Sequence, residues 1–139
     1  MQEQTFCIIK PDAVSRGIAD KIKKKLTDSG FEILESKLVN MTLDEAQKLY
    51  VVHKNKPFYN GLVKFITSGQ ICLMKLQRED AVSKLREIMG ATDPRKAEAG
   101  TIRAEFKEEN VFDENGSIKN MIHGSDSDEN AKYELSIFF

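Results

Sequence analysis

The chain has 139 residues, 40% of them hydrophobic and 31% charged, with a formal net charge of −1. That is ordinary for a globular protein with one core of useful size, and it argues against a dedicated nucleic-acid binder, which usually carries a basic excess. No apolar run is long enough to cross a bilayer, Met1-Gln2-Glu3-Gln4 lacks the basic and apolar regions of a signal peptide, and Cys7 and Cys72 lie far apart in apolar stretches with no CxxC pair or His/Cys cluster. The expectation is therefore one domain, 1–139, cytoplasmic, with reduced buried thiols and no protein-held metal.

Thr5 to Ile9 is a short β-rich apolar run and predicts a buried strand, ended at Lys10-Pro11-Asp12 because proline cannot continue a ladder. Ile18, Ala19, Ile22 and Leu26 recur at helical spacing up to a stop at Ser29-Gly30. Phe31–Val39 reads as a strand with a partly exposed face. Thr42-Leu43-Asp44-Glu45 has the capping-box form and starts a helix with Leu43, Ala46, Leu49 and Tyr50 on one side. A short helix is expected over Tyr59–Thr67, a strand over Ile71–Leu76, and a helix over Asp80–Met89 stopped by Gly90. Residues 90–123 show little regular pattern, and Leu135–Phe139 is expected to form a final strand.

This order predicts an α+β fold: a ferredoxin-like βαββαβ sandwich with a four-stranded antiparallel sheet, helices on one face, and a long irregular loop before a histidine. Long irregular segments in compact domains tend to carry function. This one leads into His123, one of only two histidines. In Asn120-Met121-Ile122-His123-Gly124-Ser125-Asp126-Ser127, Gly124 is expected to keep bulk from the imidazole, Ser125 to place a hydroxyl beside it, and Asp126 to anchor the turn. A neutral imidazole serves as base, ligand or nucleophile. His53, the other histidine, is expected to have a surface role.

Lys10, Lys56, Arg86, Thr92, Arg103 and Asn120 are phosphate-compatible groups around that stretch. Arginine grips phosphate oxygens bidentately and lysine acts as a point charge. There is no GxxxxGK[ST] loop and no protein-kinase motif set. A phosphate enzyme built on this chain would use side chains and a histidine nucleophile.

Five segments, in order, resemble the nucleoside diphosphate kinases over essentially the full length. They are Ile8–Val14 (Ile-Ile-Lys-Pro-Asp-Ala-Val), Tyr50–Tyr59, Met89–Pro94, Gly100–Phe106, and Asn120–Ser127 with its Asn-x-x-His-Gly-Ser-Asp signature. The resemblance implies a ping-pong reaction in which His123 takes the γ-phosphate of a nucleoside triphosphate and passes it to a nucleoside diphosphate. It implies phosphate or ribose contacts for Lys10, Arg86 and Arg103, a phosphate contact for Thr92, and a ribose contact for Asn120. Phe58 would stack on the base, Glu134 would accept the other N–H of His123, and Ser125 and Tyr50 would supply hydroxyls near the imidazole and phosphate. Mg²⁺ would arrive on the nucleotide's phosphates, and a homo-oligomer, tetramer or hexamer, is expected, with no membrane or dedicated nucleic-acid partner.

Two departures stand out. Lys56 occupies the place where the family usually has arginine, keeping charge but losing the fork. Residues 107–119 are several residues longer than usual and acidic, and contain Asn115-Gly116, a turn signal that predicts a hairpin-like excursion. That excursion is expected to alter an oligomer contact or the rim of the base pocket. Gln70 and Gln77-Arg78 also differ from the commoner types, outside the motifs. A non-catalytic nucleotide-binding or regulatory module on the same fold is the alternative reading; it is disfavoured because the histidine and its cationic neighbours are all present.

Overall fold

The computed structural model describes residues 2–139. The first strand, β1, runs over Gln2–Ile9, with its second half fully buried. Pro11 ends it and opens a short helix, α1 (Pro11–Ser15), at the helical position where a missing N–H costs nothing. Next come α2 (Ala19–Asp28), β2 (Glu32–Asn40) and α3 (Leu43–Leu49). The capping box of α3 forms as its sequence implies: the Glu45 N–H donates to the Thr42 hydroxyl at 3.1 Å and the Thr42 N–H donates to the Glu45 carboxylate at 3.0 Å. A 3₁₀ turn at Val51–His53 leads to α4 (Tyr59–Ile66), β3 (Gln70–Glu79) and α5 (Ala81–Met89). Gly90 then stops α5 with φ of +89°, and a Cβ there would lie 2.6 Å from Thr101 Oγ1, so only glycine fits. The chain ends through a 3₁₀ turn at Pro94–Lys96, α6 (Ile102–Phe106), β4 (Ile122–Gly124) and α7 (Asp128–Phe138).

The sheet order is β2-β3-β1-β4, with every neighbouring pair antiparallel. This is the four-stranded antiparallel ferredoxin-like α+β arrangement that the element order predicts. Three details differ from the expectation.

Both faces of the sheet are covered, rather than one. Cys7, Ile9, Cys72, Met74 and Leu76 pack against α2 and α5, while Phe6, Ile8, Ile71 and Leu73 pack against α3, α4 and the end of α7. Alternate residues of a strand point to opposite faces, so an unbroken apolar run such as Phe6–Ile9 needs cover on both.

The expected strand over Leu135–Phe139 is the end of helix α7, and the fourth strand is Ile122–Gly124 instead. A short apolar run cannot be assigned to strand or helix by periodicity alone. Here the helix start decides: the Ser127 hydroxyl accepts from the Asn130 N–H at 3.1 Å, and Asp128 and Glu129 occupy the positive end of the helix dipole. Finally, residues 90–123 hold a short helix and a 3₁₀ turn that their pattern did not announce. Both cysteines are free and buried in the face packed on α2 and α5.

Candidate active site

β4 is a three-residue strand, and its pleat sets the site. Ile122 and Gly124 face the core under α5, whereas His123 faces the opposite side, edge-on to Phe6 at 6.0 Å between ring centroids. A Cβ on Gly124 would stand 2.8 Å from Leu85 Cδ2 and Met89 Sδ. The glycine is therefore required by α5 packing, and its expected role of clearing space for the imidazole is replaced by that one.

The turn before β4 is tight. Met121 has φ of +71°, and the Ile122 N–H donates to the Asn120 carbonyl at 2.8 Å, a strained γ-turn. Such a conformation costs on the order of 1–3 kcal/mol and persists only where its surroundings over-determine it. They do so here. The Lys10 N–H donates to the Met121 carbonyl at 2.8 Å. The Arg103 guanidinium, presented by α6, donates to the carbonyls of Asn120 (3.2 Å), Gly90 (3.0 Å) and Ile122 (2.6 Å). Arg103 thus ties together the strand that carries His123, the turn before it and the end of α5.

His123 Nε2 lies 2.8 Å from Glu134 Oε1, and the Ser125 hydroxyl donates to the same oxygen at 2.8 Å. Glu134 projects from α7 and Ser125 from the end of β4, both buried. With Nε2–H donated to the carboxylate, the Nδ1 lone pair is left for the cleft. Ser125 braces Glu134 from behind rather than entering the cleft. Asp126 anchors the following turn by accepting from the Asn130 amide.

Lys10 ends β1 beside this turn and donates to Asn120 Oδ1 at 2.8 Å; the Asn120 amide in turn donates to the Thr92 carbonyl at 3.0 Å. Burial first, and then the nearby Arg103 charge, lower the Lys10 pKa to about 8. Burial and Arg86 likewise lower Arg103 to about 10, which leaves it a cation at neutral pH. Two cations brought close together out of water make a site that gains from receiving an anion. Burial and Glu134 push the Tyr50 hydroxyl upward, so it is present as a donor.

These groups share one cleft of about 840 Å³. Nine of the ten residues to which the family resemblance gives a role line it: Lys10, Tyr50, Phe58, Arg86, Thr92, Arg103, Asn120, His123 and Glu134; of these ten only Ser125 sits behind the wall. At one end are the buried cations and the histidine. At the other, the Phe58 ring stands half exposed at the start of α4. Lys56 is exposed and is not among the cleft residues.

His53 differs from its expected surface role. It is half-buried, lines the cleft, and its ring lies 5.3 Å from that of Phe58 and 6.4 Å from that of Tyr50. The signal was its position three residues after Tyr50 and five before Phe58, both already placed in the site. The acidic groups of the cleft, Asp126 and Glu134, are already engaged, by Asn130 and by His123 with Ser125. A divalent cation would therefore find its oxygen ligands on a bound phosphate chain rather than in a carboxylate cage.

A histidine with one nitrogen held by a carboxylate, and an ammonium and two guanidinium groups beside it, is the layout of a phosphotransferase that works without a P-loop. Comparison with known proteins narrows the class. The family model described as nucleoside diphosphate kinase matches residues 3–139. The nucleoside diphosphate kinase of Acidiphilium cryptum is 47% identical over 137 residues, 99% of this chain and 93% of that relative. Among solved structures, the enzyme of Halobacterium salinarum in complex with CDP aligns with a TM-score of 0.88 at 36% identity, covering 100% of this chain and 88% of that one. A transition-state mimic of the Borrelia burgdorferi enzyme with bound vanadate and ADP aligns with a TM-score of 0.91 at 29% identity, covering 99% and 87%. The chain belongs to the nucleoside diphosphate kinase family.

Proposed function

We propose that this chain transfers the γ-phosphate of a nucleoside triphosphate to a nucleoside diphosphate through a phosphohistidine at His123. The observation that carries the reading is the 2.8 Å contact between His123 Nε2 and Glu134, which directs Nδ1 at the cleft. The Nδ1 lone pair attacks the γ-phosphorus, the bond to the β–γ bridging oxygen breaks, and the nucleoside diphosphate leaves. A second diphosphate then attacks through its terminal phosphate oxygen and regenerates the neutral ring. Glu134 offsets the positive charge that grows on the imidazole, and Ser125 holds Glu134 in place. Lys10, Arg86 and Arg103 neutralise the transferring phosphoryl oxygens, the main requirement of phosphoryl transfer. Thr92 and Tyr50 add hydroxyl donors, and Asn120 faces the ribose. Phe58 stacks on the base, and stacking tolerates any base because every base has a π-face. Mg²⁺ would be held by the nucleotide's own phosphates rather than by this chain's carboxylates, and would supply charge neutralisation there.

The whole chain works as one domain, in the cytoplasm, as a homo-oligomer. No helix among the described residues is long and apolar enough to cross a membrane. Support for assembly comes from β2, an edge strand with Leu38 58% exposed, which offers unpaired backbone groups to a second copy.

The test is direct. Incubated with γ-labelled ATP and quenched, the protein is expected to carry an acid-labile, base-stable phosphate that disappears when GDP is added. His123→Ala is expected to lose that label and at least about a thousandfold of turnover, as removal of a nucleophile does. Wild-type protein without label overturns the proposal, and label retained in His123→Ala moves the nucleophile elsewhere.

A further inference from the structure

The corner Lys10-Pro11-Asp12, where β1 passes into α1, carries opposite charges to two different places. Lys10 lines the active cleft. Pro11 and Asp12 instead line a second cavity of about 530 Å³, completed by Phe65, Gln70, Glu108 and Lys119 among others. The backbone fixes this corner against the turn before His123. The Lys10 N–H donates to the Met121 carbonyl at 2.8 Å, and the Lys10 carbonyl accepts from the N–H groups of Ala13 and Val14, both at 3.0 Å.

Asp12 is buried, with 7% of its surface exposed. Both carboxylate oxygens are screened from solvent, and neither has a donor in hydrogen-bonding geometry among the described residues. The charged groups around the second cavity are engaged elsewhere. Lys119 pairs with Glu108 at 3.4 Å, and Arg16 donates to the Phe106 carbonyl at 2.7 Å. A buried carboxylate in such a place is costly unless other charges offset it.

The offsetting charges lie on the cleft side. Burial raises the Asp12 pKa, and the Lys10 charge is the strongest influence in the opposite direction; the N–H groups of Asp12 and Met121 help from outside hydrogen-bonding geometry. The influence is mutual. Burial and then Arg103 lower Lys10, burial and then Arg86 lower Arg103, and Asp12 works against both losses. Cys7 also lies near Arg103, but burial pushes its thiol far upward and keeps it neutral.

From this placement we infer that Asp12 is a positioning residue for phosphoryl transfer: it is the buried counter-charge behind Lys10 and Arg103, and it acts on the phosphate only through them. The inference rests on the nucleotide reading of the cleft. A carboxylate inside the cleft would repel phosphate. Set behind the cations, it favours their charged forms while they present those charges to the ligand. Asp12 also sits in the first turn of α1, where a carboxylate stabilises a helix start, so the test must separate a role in catalysis from a role in folding.

The experiment measures the Kd for ADP against pH by calorimetry, which needs no turnover. In wild type, Kd is expected to rise past about pH 8, as Lys10 loses its proton. Asp12→Asn keeps the shape and removes the charge. It is expected to move that rise about one pH unit lower, the small end of the effect of a neighbouring opposite charge, and so to weaken binding about fivefold near the wild-type midpoint. Well below that midpoint Lys10 is charged in both proteins, so the variant is expected to bind as tightly as wild type or more tightly. In a Lys10→Arg background, Asp12→Asn is expected to leave the profile unmoved, because arginine stays charged. Asp12→Ser carries the same expectations should the asparagine variant fold poorly. Coincident profiles for Asp12→Asn and wild type overturn the inference, as does a shift that survives in Lys10→Arg. A lowered thermal midpoint with an unmoved profile reduces Asp12 to the helix start and overturns it too. Wild-type protein that neither binds ADP nor forms a phosphohistidine overturns the functional reading as well, whereas normal binding with coincident profiles overturns the role of Asp12 alone.

Discussion

The two ends of the cleft are built by opposite means. At the histidine end Lys10, Arg103, Asn120 and Glu134 are all buried, and each is fixed by hydrogen bonds to backbone or to a neighbour. At the Phe58 end Phe58, Phe112 and Val52 are exposed, and they sit on a helix start, a hairpin and a 3₁₀ turn rather than on the sheet. The difference follows from what each end must do. Charge that develops in a transition state is best met by groups that need not reorganise, in a site with little water. A base needs only apolar area and a face to stack on, which the rim supplies, and the rim tolerates insertion because no core packing depends on it.

Substitutions that separate the two ends sharpen this contrast. The largest effect after loss of His123 itself is expected for Glu134→Gln, which keeps the shape but no longer fixes the ring or offsets its charge. Turnover should fall about a hundredfold, the upper end for losing the carboxylate that orients a histidine, with KM nearly unchanged; steady-state kinetics with ATP and GDP checks this, and a fall confined to KM would contradict it. Phe58→Ala should do the converse, raising KM about tenfold for every base, the size of one lost stacking contact, with little change in kcat.

The pH dependence probes the deep end alone. Lys10 has its pKa lowered to about 8 from 10.5 in the folded chain. The fold therefore favours neutral lysine: stability from this group is fully present above the unfolded value and is lost as pH falls through the folded one. Phosphate binding has the opposite preference, because it needs the ammonium. Nucleotide KM is thus expected to rise as pH climbs past about 8, and nucleotide should raise the thermal midpoint most below that pH. Lys10→Arg, which stays charged, should flatten the rise in KM, and a flat wild-type profile would remove Lys10 from the phosphate contacts. The smallest effect is expected at Lys56. Lys56 keeps the charge but loses the fork of the family's usual arginine, and its place outside the cleft walls limits the expected change in kcat/KM for Lys56→Arg to about twofold, as for an exposed charge.

Much of this was legible in the chain. The strands β1 and β3 and the helices α2, α3, α4 and α5 follow from apolar spacing and stop signals, since each depends on residues close in sequence. The candidate site was legible because a histidine, several cations and an amide recur in motifs whose order carries information even without coordinates. The role of His53 was not legible: a lone histidine after a helix end looks the same whether it faces water or a cleft. The end of the chain was misread because Leu135–Phe139 satisfies strand and helix patterns equally, and only the cap at Ser127 with the packing of Phe138 against Phe6, 5.0 Å apart and nearly parallel, resolves the choice.

The sequence by itself determined the family resemblance, the α+β order of elements and most of the side chains that meet in the candidate site, because these reside in local periodicity and in motif spacing. The tertiary structure alone decided three things: that His123 lies on a strand with its Nε2 turned to Glu134, that Arg103 clamps a strained turn as well as lining the cleft, and that the hairpin at 111–118 lines the same cleft and reaches α4 beside Phe58. Each depends on groups far apart in the chain meeting at a defined distance. Spacing in sequence does not encode such a meeting until the sheet and its two helical layers have brought the segments together.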